Sequence, residues 1–333
     1  MRNFQYTRAA DIDQAIALHA QSASSVETVF LAGGTMLLDL MKLDVMRPVQ
    51  VIDIHRVGLD RVEVLDDGRV RIGAMVTNTE LARHPHIVEH YPSLSQAILS
   101  GASTQLRNKA TTAGNIMQRV RCGYFRDGVS PCNKREPGAG CSAVDGLNRN
   151  VHAVLGGSEH CIATHPSDMC VAMIAIGATI HAQGPNGKRD LPFEGFHLLP
   201  GDTPWKETAL NENDLITHVT LDAPIAGSRS AYLKLRDRTS YQFSLASSAV
   251  IVAMDGNTVR EARIALGGVS TRPWRAPEAE AALRGQPVSE ALLSKAAAAA
   301  MTGAKSYGQN GFKIRLGQQA VMRNLSKLLG SPS

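Results

Sequence analysis

Residues 29–42 read VFLAGGTMLLDLMK. A β-type apolar run, Val29 to Ala32, ends at Gly33-Gly34-Thr35, and an apolar pattern of helical spacing follows. Strand, glycine turn, helix is a common cradle for a phosphate, because N–H groups at a helix start point toward the anion. The spacing matches neither Gly-x-Gly-x-x-Gly nor a Walker loop. By itself the glycine pair is equally a tight strand-to-helix turn.

Working outward, residues 11–22 have helical spacing with Asp11 as cap, TVFLA (28–32) reads as a strand, 36–43 as a helix and VQVIDI (49–54) as a strand. This predicts a small βαβ-like unit. RVEVLDDGRVRIGAM (61–75) alternates apolar and polar residues around Asp67-Gly68, a hairpin signal. Helical patterns follow at 78–84 and 93–101. Residues 166–182 read as a short buried helix and a strand. Beyond residue 227, strands are expected to meet at Asp255-Gly256-Asn257, with helices in PEAEAALRG, SEALLSKAAAAAM and 312–329. Helices gathered after strands suggest α+β.

The bulk properties exclude several classes. The chain has 333 residues, net charge +5, 44% hydrophobic and 20% charged residues, which suits a full core and not a disordered chain. The mixed charges and scarce aromatics argue against nucleic acid. No apolar run is long enough to span a bilayer, and the start MRNFQYTRAADIDQ lacks the features of a signal peptide. The expectation is a soluble chain without its own export signal, cytoplasmic, or periplasmic as the passenger of a signal-bearing partner.

A second turn, RNKATTAGNIM (107–117), sets Thr111, Thr112, Gly114 and Asn115 together. Two such turns could clamp the two phosphates of one dinucleotide, although each alone is also an ordinary turn. FLAGGTMLLDLMK, RIGAMVTNTELA, LRNKATTAGNI, HPSDMCVAMIAIGATI and IALGGVSTRPWRA occur in that order. With them the chain resembles the FAD-binding subunit of the xanthine dehydrogenase family of molybdenum hydroxylases.

The resemblance implies an α+β fold. It comprises an FAD-binding domain of the PCMH, or vanillyl-alcohol-oxidase, type over residues 1–226, in subdomains 1–58 and 59–226, and a C-terminal flavoprotein domain over 227–330. It further implies that Val29, Phe30, Leu31, Ala32, Gly33, Gly34, Thr35, Met36 and Leu37 wrap the FAD pyrophosphate, with Thr111, Gly114 and Asn115 on the other side. Asp168, Ile216 and Lys234 match family positions that meet the cofactor. Read without the resemblance, Asp168 caps a helix, Ile216 is core and Lys234 is a solvated strand residue.

Cys122, Cys132, Cys141, Cys161 and Cys170 form the whole cysteine complement and are confined to 122–170. An odd number argues against a simple disulfide set. The first four lie in a Gly-, Pro- and Asn-rich stretch, at about 118–165, without a usable period, and such a long irregular segment is normally functional. Cys170 lies in an apolar helix, where a small hydrophobe is expected. Thus Cys122, Cys132, Cys141 and Cys161 are the candidate ligands. Zinc accepts four cysteines, usually in close pairs that are absent here. The resemblance points instead to a 4Fe–4S cluster, as in the subset with an inserted cysteine loop.

His86 and His90 have helical His-x-x-x-His spacing but no third ligand; His160 and His165 are expected to be exposed loop residues. Trp274 is expected to pack at the interface with the FAD domain. No side chain is assigned an acid, base or nucleophile role.

The resemblance implies an electron-transfer subunit whose partners are a large molybdopterin subunit and a small 2Fe–2S subunit, delivering electrons through FAD to an external acceptor. Aldehyde oxidation is the expected overall reaction. A subunit of a 4-hydroxybenzoyl-CoA reductase-like enzyme, and a structural zinc-loop protein acting as an interaction scaffold, are the alternatives.

Overall fold

The short N-terminal elements follow the local signals closely. The computed structural model describes residues 1–21 and 27–330. Strand β1 (Gln5–Arg8), helix α1 (Ile12–Ala20), strand β2 (Thr28–Leu31), helix α2 (Leu37–Lys42) and strand β3 (Gln50–Asp53) form a parallel sheet of order β1-β3-β2 with its helices. Asp11 caps α1 by accepting from the Gln14 N–H. Residue 22 of the predicted helix lies outside the described residues. Strand β1 was not anticipated, because QYTR carries no apolar alternation.

Strands β4 (Val62–Val64) and β5 (Val70–Gly73) make the expected hairpin, with Gly68 at φ +80°. Helices α3 (Asn78–Arg83), α4 (Pro85–His90) and α5 (Pro92–Ser100) follow. Each proline opens a new helix, where its missing N–H costs nothing. Short helices α6 (Thr104–Arg107), α7 (Thr112–Ile116) and α8 (Gly123–Arg126) precede the long apolar helix α9 (Asp168–Ile176). Strands β6 (Ala178–Gly184), β7 (Gly187–Pro192) and β8 (Leu215–Leu221) join the hairpin in an antiparallel sheet of order β4-β5-β8-β6-β7.

Strands β9 (Ser228–Leu235), β10 (Ala246–Asp255), β11 (Thr258–Gly267) and β12 (Trp274–Arg275) form a second antiparallel sheet, ordered β12-β11-β10-β9. Helices α10 (Pro277–Leu283), α11 (Glu290–Ala299) and α12 (Phe312–Leu329) close the chain's C-terminal part.

Helix α9 is apolar on every side except Asp168, and every residue in it is buried. A helix without a polar face must be enclosed, and α9 is packed against α5, β10 and β11. Its side chains join both larger sheets in one core with Ile72, Ile180 and Val219. Each fully buried aliphatic side chain contributes roughly 1.5–3 kcal/mol. A second core lies between the four-stranded sheet and α10–α12. There Gly317 makes room for Met301, whose sulfur would lie 2.5 Å from a Cβ at that position.

Candidate functional site

The two small-residue turns touch. A Cβ on Gly33 would lie 1.9 Å from the Lys109 carbonyl oxygen, so only glycine permits this approach. Gly34 follows at φ +72°, a left-handed conformation that glycine adopts without strain. Opposite, Thr111 caps α7, its side-chain oxygen accepting from the Gly114 N–H at 3.2 Å. The second turn is anchored to α3: the Asn78 N–H donates to the Ala110 carbonyl, and the Thr112 hydroxyl donates to Val76.

A cleft of about 480 Å³ opens beside these turns, lined in part by Thr35, Met36, Gly114, Asn115, Asp168 and Lys234. Ser167 is the N-cap of α9, accepting from the Cys170 N–H at 3.1 Å and donating to Asn115 Oδ1 at 2.7 Å. This frees the Asp168 carboxylate, which accepts from Lys234 Nζ at 2.7 Å and from the Tyr232 hydroxyl at 2.6 Å. Burial and the Asp168 charge push the Tyr232 hydroxyl well above its ordinary pKa. Lys234 also donates to the Ser100 carbonyl.

The cleft is electropositive beside the glycine turn. Arg121 and Arg126 share one carboxylate, Asp39 of α2, at 3.3 and 2.8 Å, and Arg107 adds another cation to the lining. Burial and the neighbouring Arg126 charge pull the Arg121 pKa down. Arg121 Nε and Asn78 Oδ1 are buried cleft atoms without a hydrogen-bond partner among the described residues. A donor, an acceptor, surplus positive charge and turns that permit close backbone approach suit a ligand with both phosphates and a polar heterocycle. The residues present therefore fit a flavin dinucleotide.

The cysteines divide as two groups. Cys122, Cys132, Cys141 and Cys161 line one small cavity within a separate apolar cluster that includes Phe125 and Ile162. Cys132 and Cys141 face each other across an antiparallel bridge. Cys122 precedes α8, and its sulfur lies 3.3 Å from His152 Nε2. Burial pushes the Cys122 thiol up to about 12 and the Cys161 thiol up to about 11. Free thiols here would stay protonated, whereas a coordinated metal would deprotonate them.

A single zinc ion, with Zn–S near 2.3 Å, would bring its sulfurs to about 3.8 Å of one another. Among the described residues, the set of metal-ligating atoms all within 4.8 Å of one another is His165, Cys170 and His197, and it includes none of the four loop thiols. Four thiols around one cavity are a donor set that either zinc or an iron–sulfur cluster accepts. Cys170 belongs to the main core, fully buried on α9.

Comparison with known proteins identifies the scaffold. Residues 2–224 match the FAD binding domain in molybdopterin dehydrogenase, and residues 230–328 match the CO dehydrogenase flavoprotein C-terminal domain. The chain belongs to this flavoprotein family. It is 46% identical over 330 residues to the aldehyde oxidoreductase FAD-binding subunit PaoB of Escherichia coli strain K12, covering 98% of each chain. It is 28% identical to the carbon monoxide dehydrogenase medium chain of Hydrogenophaga pseudoflava, covering 97% of this chain and 96% of that one. The solved carbon monoxide dehydrogenase of Hydrogenophaga pseudoflava superimposes with a TM-score of 0.76 at 29% identity, covering 98% and 97%. The α+β flavoprotein fold expected from the sequence is thus the fold observed.

Within this FAD-binding subunit, the expected site residues do not all converge. Val29, Phe30 and Leu31 form β2; Ala32 leads into the turn, and Leu37 packs with Met41 and Val51. Ile216 lies on β8, buried in the main core and outside the cleft lining. Two plain alternatives are corrected: Ser167, not Asp168, caps α9, and Lys234 is buried in an ion pair instead of solvated.

His160 is exposed as expected, but His165 is not a free loop residue. Its ring packs edge-on to His197 at 4.4 Å, and burial holds both imidazoles below their ordinary pKa, His197 at about 4. His86 and His90 do share a face of α4, their rings 4.4 Å apart. Trp274 packs on the C-terminal core and against the cysteine segment, where a Cβ on Gly156 would meet its ring at 3.0 Å.

Sequence reasoning missed Tyr232, Arg121 and His152. For Tyr232 a signal existed: two residues before Lys234 on a strand, it shares that face. Arg121 and His152 carried none, because they lie in irregular chain.

Proposed function

We propose that this chain is the electron-transferring FAD and 4Fe–4S subunit of a molybdenum-dependent aldehyde oxidoreductase. In this reading residues 1–226 hold the flavin, with an iron–sulfur insertion at about 118–165, and 227–330 complete the subunit. The large partner carries the molybdopterin and the small partner 2Fe–2S clusters. The observation that carries the reading is the cleft: two glycine-containing turns in contact, a surplus of guanidinium charge, and a buried Asp168–Lys234 pair beside them.

The residues supply binding and orientation, not acid–base chemistry. The backbone of Gly33, Gly34 and Thr35 offers N–H donors to a pyrophosphate, with Thr111, Gly114 and Asn115 across from it. Arg121 and Arg126 balance its charge. Asp168, fixed by Lys234 and Tyr232, orients polar groups of the cofactor. A bound flavin supplies two-electron exchange with an acceptor outside the complex. Cys122, Cys132, Cys141 and Cys161 hold the cluster.

The aldehyde substrate class is supported by the 46% identity to PaoB, named as an aldehyde oxidoreductase subunit. The test is a visible spectrum with iron and acid-labile sulfide analysis of the chain purified with its own partners. Flavin bands plus a broad absorbance that bleaches on reduction, with four irons and four sulfides on this subunit, are expected. Flavin without iron would remove the cluster, and a colourless chain with stoichiometric zinc would remove the whole reading.

A further inference from the structure

We propose that His152 is a positioning residue for the iron–sulfur site, a donor to the Cys122 sulfur that raises the reduction potential of the cluster. The proposal deepens the cluster reading and rests on it.

The geometry fixes which ring nitrogen carries the proton. His152 Nδ1 accepts from the Arg149 backbone N–H at 3.1 Å. An accepting Nδ1 leaves the ring hydrogen on Nε2, and Nε2 lies 3.3 Å from Cys122 Sγ. The ring is therefore held in the tautomer that donates to sulfur. A metal-site partner is commonly oriented in this way, through a hydrogen bond at its second nitrogen.

The backbone of His152 is equally constrained. Its residue pairs with Ala163 across an antiparallel bridge, two residues beyond Cys161. The Lys313 ammonium, from α12, donates to the His152 carbonyl at 3.0 Å and also to the carbonyls of Asn150 and Gly268. His152 and Cys122 are both buried, so water does not compete for the sulfur. A mere packing role would not need the aligned tautomer or the anchored carbonyl.

The direction of the effect follows from charge. Reduction adds an electron to a cluster whose sulfurs already carry negative charge. A hydrogen bond to one of those sulfurs stabilises the more negative state, so the potential rises.

The experiment uses the complete enzyme complex, with the cluster titrated electrochemically and followed by electron paramagnetic resonance. His152→Leu is expected to lower the midpoint potential while iron, sulfide and FAD contents stay at wild-type values. His152→Gln, which keeps an N–H donor, should recover part of the shift. An unchanged midpoint in His152→Leu with the cluster retained would overturn the proposal and leave the cluster reading standing.

If His152→Leu loses its iron, the wild-type complex labelled with ¹⁵N-histidine decides. Its reduced cluster should show a weak ¹⁵N coupling and an exchangeable proton coupling in pulsed spectra, both persisting in His160→Asn, which removes the histidine that lines the cysteine cavity. Absence of those couplings would overturn the proposal. Absence of iron from the wild-type subunit would instead overturn the cluster reading itself.

Discussion

The cleft and the cysteine insertion solve the same problem by opposite means. The cleft is bounded in part by α5, α9 and β9, elements backed by the main apolar core, so its Asp168–Lys234 pair is set on regular backbone. The insertion at about 118–165 has one four-residue helix among its described residues. Its backbone groups find side chains instead of ladders. Arg135 donates to the carbonyls of Tyr124, Phe125 and Ser130. Asn133 accepts from the Gly140 N–H and donates to the His160 carbonyl. Glu207, partly buried outside the segment, ties Arg119 at 2.6 Å and Lys134 at 3.4 Å to the larger domain. Burial opposes its ionisation, and the two cations outweigh that and hold its pKa low. Buried backbone must be paired in some way, and a segment without regular structure must use specific side chains to do it. The cleft should therefore tolerate loss of its ligand, whereas the insertion should not.

The sharpest break comes from removing a thiolate. Cys141→Ala should eliminate the cluster, with iron and sulfide on this subunit falling from four toward zero while FAD stays; iron analysis beside the flavin spectrum measures both. Retention of four irons would show that Cys141 is not a ligand.

Next in size is the buried ion pair. Asp168→Ala leaves the Lys234 ammonium buried without its counter-ion and removes the Tyr232 partner, a loss of about 3–5 kcal/mol for breaking such a pair. Urea denaturation of the complex should show it as a lowered midpoint. A loss below about 1 kcal/mol would mean that the pair is solvated in practice.

A smaller cost falls on the turn. Gly34→Val places a β-branched residue at φ +72°, with its Cβ 3.2 Å from the Leu31 side chain. Backbone strain of about 1–3 kcal/mol is expected, with FAD lost and the far-ultraviolet circular dichroism nearly unchanged. Full FAD occupancy in this variant would contradict the pyrophosphate assignment.

Acid sharpens the contrast within the regular region. Burial opposes ionisation of Asp53, but bonds from Tyr6, the His55 N–H and side chain, and Arg8 outweigh it and hold the carboxyl well below its usual value of 3.8. A depressed folded pKa contributes stability that is present above 3.8 and lost as pH falls below it. Asp53→Asn should flatten that acid limb in denaturation curves between pH 5 and pH 2, while the wild type declines steeply.

The smallest effect belongs to Cys170. Cys170→Ala removes one buried sulfur atom from the core, costing about 1 kcal/mol, and should leave the iron content at wild type. Loss of iron in this variant would reverse the division of the cysteines.

How far the sequence was legible tracks the same contrast. Val29 to Lys42, the Asp67-Gly68 hairpin and α9 were readable because local period and turn chemistry agree with the tertiary structure there. Strand β1 was not, since its four residues form a strand through pairing with β3 and not through their own alternation. At Asp168 the local rule misled: Ser167, immediately before it, is the better-placed cap, and the carboxylate is committed to residues 64 and 66 positions away. The grouping of four cysteines was legible from composition. The contact of His152 with Cys122 was not, because it depends on how an aperiodic segment folds back on itself. Arg121 was invisible for a similar reason, lying at the junction where the segment meets the cleft.

Lys313 carries a consequence for the order of assembly. Its ammonium, fully enclosed, is bound by carbonyls of Asn150 and His152 in the insertion and Gly268 after β11. A ribosome-bound chain halted before residue 313 would hold every cysteine yet lack the clasp beneath His152. Closure of the chain around the four thiols is then a late step, coupled to docking of α12, and premature chain termination would leave open a cavity encoded far upstream.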